Sequence, residues 1–262
     1  MKKQSLLRLI RYELFNLFGS WYIPIFGLLM PIFLGAVIGN AIEIPTEHMD
    51  LARTGITIGF THLIPLAAVF LGHAALYSQE LENNIQLRMQ LFGFPKKHLL
   101  IAKMLSQLIF IVASLAAYFT VMSFTLPYKA PTPTGLLIFL SLIFVESIAL
   151  FILAHAIASM LRRFGYTYAV SMGLYFVFMF FGGMMGFPME KLPGALKSFA
   201  KLLPFSYFSD SKIVNVWLGK NYNFAPLLQS LLFLLVVSLL LLLLSAYLQK
   251  HKTRVKFDTV DA

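Results

Sequence analysis

Windows without charge constrain this chain more than any other feature. No Asp, Glu, Lys or Arg occurs between Glu13 and Glu43, between Arg53 and Glu80, or between Lys103 and Lys129. The same holds from Arg163 to Glu190 and from Lys220 to Lys250. A sixth window, Lys129 to Arg162, holds a single carboxylate, Glu146. Each window exceeds the ~20 residues a helix needs to cross a hydrocarbon core. With 59% hydrophobic and 12% charged residues, an ordinary soluble domain is excluded. The expected fold is all-α and integral to the membrane, one domain over residues 1–262. Its six spans fall at about 21–42, 55–78, 99–126, 134–160, 166–186 and 225–249.

Lys and Arg set the orientation. Fourteen of them lie in the N-terminal arm, the loops after the second and fourth spans and the C-terminal tail, against seven on the other side. That bias predicts both termini in the cytoplasm. The net charge of +10 is then topological, with membrane lipid rather than nucleic acid as its neighbour. The absence of cysteine removes disulfides and thiolate chemistry.

Residues 2–18 read as an interfacial helix within an arm of residues 1–20, with Leu6, Leu7, Ile10, Leu14, Leu17 and Phe18 on one face. A plain extension of the first span is the alternative. Pro24, Pro31 and Pro65 predict kinks in the first two spans, and Glu43–Thr54 reads as a short acidic connection. The stretch 79–98 is read as cytoplasmic, with a helix over Gln79–Phe92 that stops at Gly93 and Pro95. Residues 187–219 are too broken by Pro188, Pro193 and Pro204, and too charged, to span. Two short amphipathic pieces are expected there, Leu192–Leu203 and Ser206–Leu218.

Ionisable groups inside spans are functional candidates. Glu146 is read either as a neutral, hydrogen-bonded lock or as a pathway residue. His62 and His73 share a helical face three turns apart, too far to chelate one ion, and read as interhelical hydrogen-bonding groups. His155 lies on the face of its helix opposite Glu146. Phe178, Phe181 and Met184 belong to an aromatic and methionine-rich fifth span, read first as lipid-facing or packing residues, with contact to varied apolar ligands as the alternative. No nucleotide-binding or catalytic motif occurs, so any ATP must be bound by another chain.

Two segments carry a family likeness. Glu80–Lys103 reads E-x-E-N-N-x-x-x-R…G-x-P…K, and Gly182–Gly219 reads G-G…F-P-M-E-x-L-P…L-L-P-F-S-Y…V-W-L-G. Together they resemble the permease subunits of type-2 ABC exporters, which move drugs, lipid-linked polysaccharides or teichoic acids. The first segment resembles the family's coupling helix, implying that Glu80, Glu82, Asn83, Asn84, Arg88 and Gly93 couple to the ATPase. Asn83-Asn84 departs from the glycine and small polar residue usual there. The second resembles the re-entrant extracellular helices, implying a gate around Pro188, Leu192, Pro193, Pro204 and Tyr207 and a pathway past Glu146, Phe178, Phe181 and Met184.

The resemblance further implies two cytoplasmic ATPase subunits that bind ATP and Mg, and no cofactor on this chain. It implies a second permease copy, as homodimer or heterodimer, in a bacterial plasma membrane. The substrate expected is amphipathic or lipid-like, such as a drug or antimicrobial peptide, with a glycolipid, polysaccharide or sodium as alternatives. Two other classes compete: an intramembrane enzyme using Glu146 with a histidine, and a scaffold or immunity protein that sequesters a ligand.

Overall fold

Backbone N–H and C=O groups have no partner in lipid, so long apolar windows are satisfied only as helices. The computed structural model, which describes residues 3–41, 46–185 and 192–258, is all helical with six spans. They run Tyr22–Ala41, His48–Glu82, Lys96–Thr125, Pro133–Leu161, Phe164–Phe181 and Ala225–Lys250. Six crossings bring the N-terminal helix and the end of the sixth span to one end of the bundle, the end of the termini.

The second span is the axis. Leu63 through Ala75 are all buried, as expected of a helix that is apolar all round. It begins earlier than the sequence suggests, because helix already runs from Thr46 and takes up most of the connection expected at 43–54. Asp50 near its start suits the helix dipole.

Prolines explain the irregular turns. Pro24 is followed by a π-helical stretch at Ile25–Leu29, and Pro65 by another at Leu66–Leu71. Each proline removes one N–H donor, and the next turn widens around the gap. The two widened turns pack together, and a Cβ on Gly27 would lie 3.1 Å from Ala68 Cβ. The backbones of the first two spans approach closely there. Pro31 sits inside regular helix.

The sixth span packs on the fourth through a stripe of Leu227, Ser230, Leu231, Leu234, Ser238 and Ser245. Leu228, Leu232, Leu239, Leu240, Leu243 and Leu244 are exposed, as suits a helix in lipid. Small serines let the two helices close up.

An N-terminal helix, Lys3–Gly19, lies against the third span. Its packed face holds Leu6, Leu9, Ile10, Glu13 and Leu17, while Leu7, Phe15 and Phe18 are exposed. The buried side is thus rotated from the expected one and includes Leu9, which lies outside the expected face. Glu13, not an apolar side chain, decides the rotation.

At the opposite end, the two amphipathic pieces expected after the fifth span are shorter. Helices occupy Gly194–Ala200, Phe205–Phe208 and Val214–Trp217, with a 3-10 turn at Ser211–Ile213. Pro204 begins the second piece, and the Asp210 carboxylate caps the turn by accepting from Lys212 N–H at 2.9 Å.

Candidate functional site

Three places bring chemistry-bearing side chains together. The first lies at the end holding the termini. Lys103 donates to Glu13 Oε2 at 2.8 Å and Oε1 at 2.9 Å, and to Glu80 Oε1. Glu80 Oε2 accepts from Gln86 Nε2 at 2.9 Å. All three charged groups are buried, and the three donors of the ammonium are used. The cluster ties the N-terminal helix to the second and third spans. Burial pushes the Glu13 carboxyl above the usual carboxylate range, while Lys103 pulls it back.

Around this anchor the expected coupling residues take distinct places. The helix foreseen over Gln79–Phe92 is split: the second span ends at Glu82 and a separate helix covers Ile85–Leu91. Asn84 makes the break at φ +54, a left-handed conformation that asparagine tolerates better than most residues. Gly93 ends the short helix at φ +85. The Arg88 guanidinium donates to the Asn83 carbonyl at 3.0 Å. Glu82 accepts from the Phe164 N–H at 2.8 Å, joining the second span to the start of the fifth. Leu87, Leu91 and Phe92 stand exposed beside these residues, the last two nearly 80% (78% and 79%).

The second place is mid-bundle. His62 Nδ1 lies 2.6 Å from Glu146 Oε2, with both side chains fully buried. Phe208 stacks on the imidazole at 3.7 Å between centroids, and Phe139 meets its edge. His62 Nε2 and Glu146 Oε1 have no hydrogen-bond partner. His73 pairs separately with His155, Nε2 to Nδ1 at 3.4 Å. The second and fourth spans are therefore joined twice by ring nitrogens.

The third place is a cavity of about 640 Å³ at the end opposite the termini. Leu51, Ile56, Phe60 and Val214 give it apolar walls, and His48, Ser211, Asn215 and Lys220 give it polar ones. Met184 lines it, whereas Phe178 stacks with Phe205 and Phe181 packs on Phe199. Ser209, next in chain to Phe208, also lines it and has an unpartnered buried hydroxyl. Glu146 does not reach the cavity.

Among the expected gate residues, Pro193 and Pro204 start helices and the Tyr207 hydroxyl donates to the Lys201 carbonyl at 3.2 Å. Leu192 is half-buried, and Pro188 lies outside the described residues. The segment is anchored by Trp217, which donates from Nε1 to the Lys129 carbonyl at 2.7 Å and packs on Phe119 and Phe139.

Six spans, an exposed helix beyond a buried ionic anchor, and a broken segment at the far end form one architecture. The sequence profile of the ABC-2 family transporter proteins matches residues 50–247, the second to sixth spans. This chain belongs to that family. No curated protein matches it. As an ABC-2 permease it is a multi-pass transport subunit of exporter type rather than a catalyst, and members of the family generally pair with cytoplasmic ATPase subunits. No group of three or more His, Asp or Glu able to hold a metal occurs among the described residues.

Two residues of the ABC-2 chain's anchor were missed from sequence. In the sequence Lys103 stands as a window boundary, a loop charge and the end of the first family-like segment, and Glu13 only as a window boundary. A local signal existed for Glu13, which shares a helical face with Leu6, Leu9, Ile10 and Leu17. For Phe208 there was none, because its contact with His62 spans well over a hundred residues of chain.

Proposed function

We propose that this permease is the membrane half of an ATP-driven exporter, and that the helix Ile85–Leu91 is its coupling element. The observation that carries the reading is the exposed Leu87–Leu91–Phe92 face, set directly beyond the buried Glu13–Lys103–Glu80 cluster. An apolar face of this kind in water invites a protein partner. Closure of ATPases beneath it would be passed through Glu80 to the second and third spans and the N-terminal helix, and through Glu82 to the fifth. In this reading both termini are cytoplasmic and the N-terminal helix lies at the membrane surface.

Two permease copies and two ATPase subunits make the working unit, with the substrate path along the permease interface. The segment 187–219 dips back into the outer side and forms the gate. The cavity's mixture of apolar walls and polar rim favours an amphipathic or lipid-like substrate, such as a drug or antimicrobial peptide. Inverted membrane vesicles from the native host, loaded with an amphipathic fluorescent dye, test this. Dye accumulation should require ATP and disappear with Leu91→Asp combined with Phe92→Asp. Equal accumulation without ATP, or in the variant, would overturn it.

A further inference from the structure

A second cavity, of about 370 Å³, opens at the end holding the termini, and a smaller one of about 140 Å³ adjoins it. The two share Tyr77, Gln86, Lys96 and His155 in their walls. Together they are built by the second span, the short helix after it, and the cytoplasm-proximal parts of the third, fourth and sixth spans. The larger volume falls within the roughly 300–1,000 Å³ typical of ligand sites.

The lining is one-sided in charge. Lys96, Lys97, Lys103 and Arg162 contribute to it and no carboxylate does. Lys103 is committed to Glu13 and Glu80, which stand behind the wall. Lys96, Lys97 and Arg162 make no ion pair among the described residues. Arg162 is held at the rim by a left-handed backbone, φ +58, at the end of the fourth span. Polar depth comes from Tyr77, Ser159 and Gln90, and the Gln249 side chain closes the back by donating to the Ser159 carbonyl at 3.2 Å.

One wall is not polar. Leu242 and Ala246 belong to the sixth span and continue into its outward leucines, Leu239, Leu240, Leu243 and Leu244. A molecule seated here has cations and hydroxyls around its head and a greasy helix beside whatever trails from it. A free phosphate would satisfy the first half alone. An anionic phospholipid satisfies both, and basic pockets between span ends are suited to such headgroups.

We propose that this cavity is a binding site for the phosphate headgroup of an anionic phospholipid, with Lys96 and Arg162 as its cationic clamp. The acyl chains lie along the sixth span. Because the short helix Ile85–Leu91 forms part of the wall through Leu87 and Gln90, the bound lipid is wedged against the proposed coupling element. The leaflet rests on the orientation proposed above, whereas the binding itself does not.

Native mass spectrometry of the full chain, extracted from nanodiscs of mixed phosphatidylglycerol and phosphatidylcholine, tests the site without any ATPase. Phosphatidylglycerol should be retained in preference. Lys96→Gln with Arg162→Asn, asparagine being chosen for the left-handed backbone, should lower retention on the order of tenfold. Ala246→Phe, which fills the cavity and keeps the charges, should lower it too, and decides the matter if the double variant fails to fold. Lys212→Gln at the far end should change nothing. Equal retention of the two lipids, or undiminished retention in the folded variants, would overturn the proposal. So would loss of the lipid to inorganic phosphate, which would mark a soluble-anion site, or an equal drop with Lys212→Gln. None of these failures would touch the exporter reading.

Discussion

The Glu13–Lys103–Glu80 cluster and the His62–Glu146 pair are both buried, and they differ in what they leave unfinished. In the cluster every ammonium proton has a carboxylate oxygen, and the spare oxygen of Glu80 takes Gln86. In the pair one bond is made, and His62 Nε2 and Glu146 Oε1 have no hydrogen-bond partner. A completed network holds helices in register and costs little once built. An incomplete one keeps a standing desolvation penalty, which marks a place where a protein gives up stability for another purpose. The cluster is the fixed joint of this permease, and the pair sits where the broken segment after the fifth span meets the second and fourth spans.

Breaking the joint should have the largest effect. Lys103→Ala leaves two carboxylates buried together, and loss of one partner from a buried ion pair costs about 3–5 kcal/mol. The melting temperature in detergent should fall sharply or the folded chain should not be recovered. The triple replacement Glu13→Gln, Lys103→Met and Glu80→Gln should restore most of that loss, since a neutral, well-packed substitute is often equivalent. Failure of the triple variant to improve on Lys103→Ala would show that the cluster does more than join helices.

Phe208→Ala comes next. Removing a fully buried phenylalanine costs about 3–5 kcal/mol, at the lower end where neighbours or water can fill the space. The cavity lies one residue away at Ser209, so water should reach His62. Hydrogen exchange along the Phe205–Phe208 helix should then rise more than in the rest of the bundle. Uniform exchange would remove the link between the broken segment and the pair.

A smaller stability change, about 1–3 kcal/mol, is expected from Glu146→Gln, which keeps the shape and alters the bond to His62. Here the contrast sharpens. Transport should drop by more than the loss of folded protein accounts for, whereas the neutral triple variant of the cluster should transport in proportion to its folded amount. Matching losses in both would erase the distinction.

The smallest effect concerns pH. The Glu13 carboxyl, raised by burial, binds its proton more tightly folded than unfolded. Its contribution to stability is therefore present at low pH and declines as pH rises from the ordinary carboxyl range through the raised value. Glu13→Gln should remove that decline from the melting curve. A decline of the same size in the variant would assign it to another group.

Most of the frame was legible because lipid leaves a helix few choices: windows without charge became spans, and prolines marked the irregular turns. The short helix after the second span was harder. Its composition suggested one continuous helix from Gln79, and only the left-handed Asn84 divides it. The partners of Glu146 and Lys103 were not legible, since a buried charge announces that it needs a partner without saying which. His62, Glu13 and Glu80 meet those needs from elements 84, 90 and 23 residues away.

The central claim is that the exposed face beyond the fixed joint receives an ATPase. Affinity purification of the chain from its native host in mild detergent, with mass spectrometry of what accompanies it, tests this most directly. Leu91→Asp with Phe92→Asp alters two exposed side chains and should change stability by no more than ~0.5 kcal/mol. The account predicts a P-loop ATPase recovered in stoichiometric amount with the unaltered chain and lost from the folded double variant. Recovery of the chain without an ATPase, or retention of the ATPase by the variant, would contradict it.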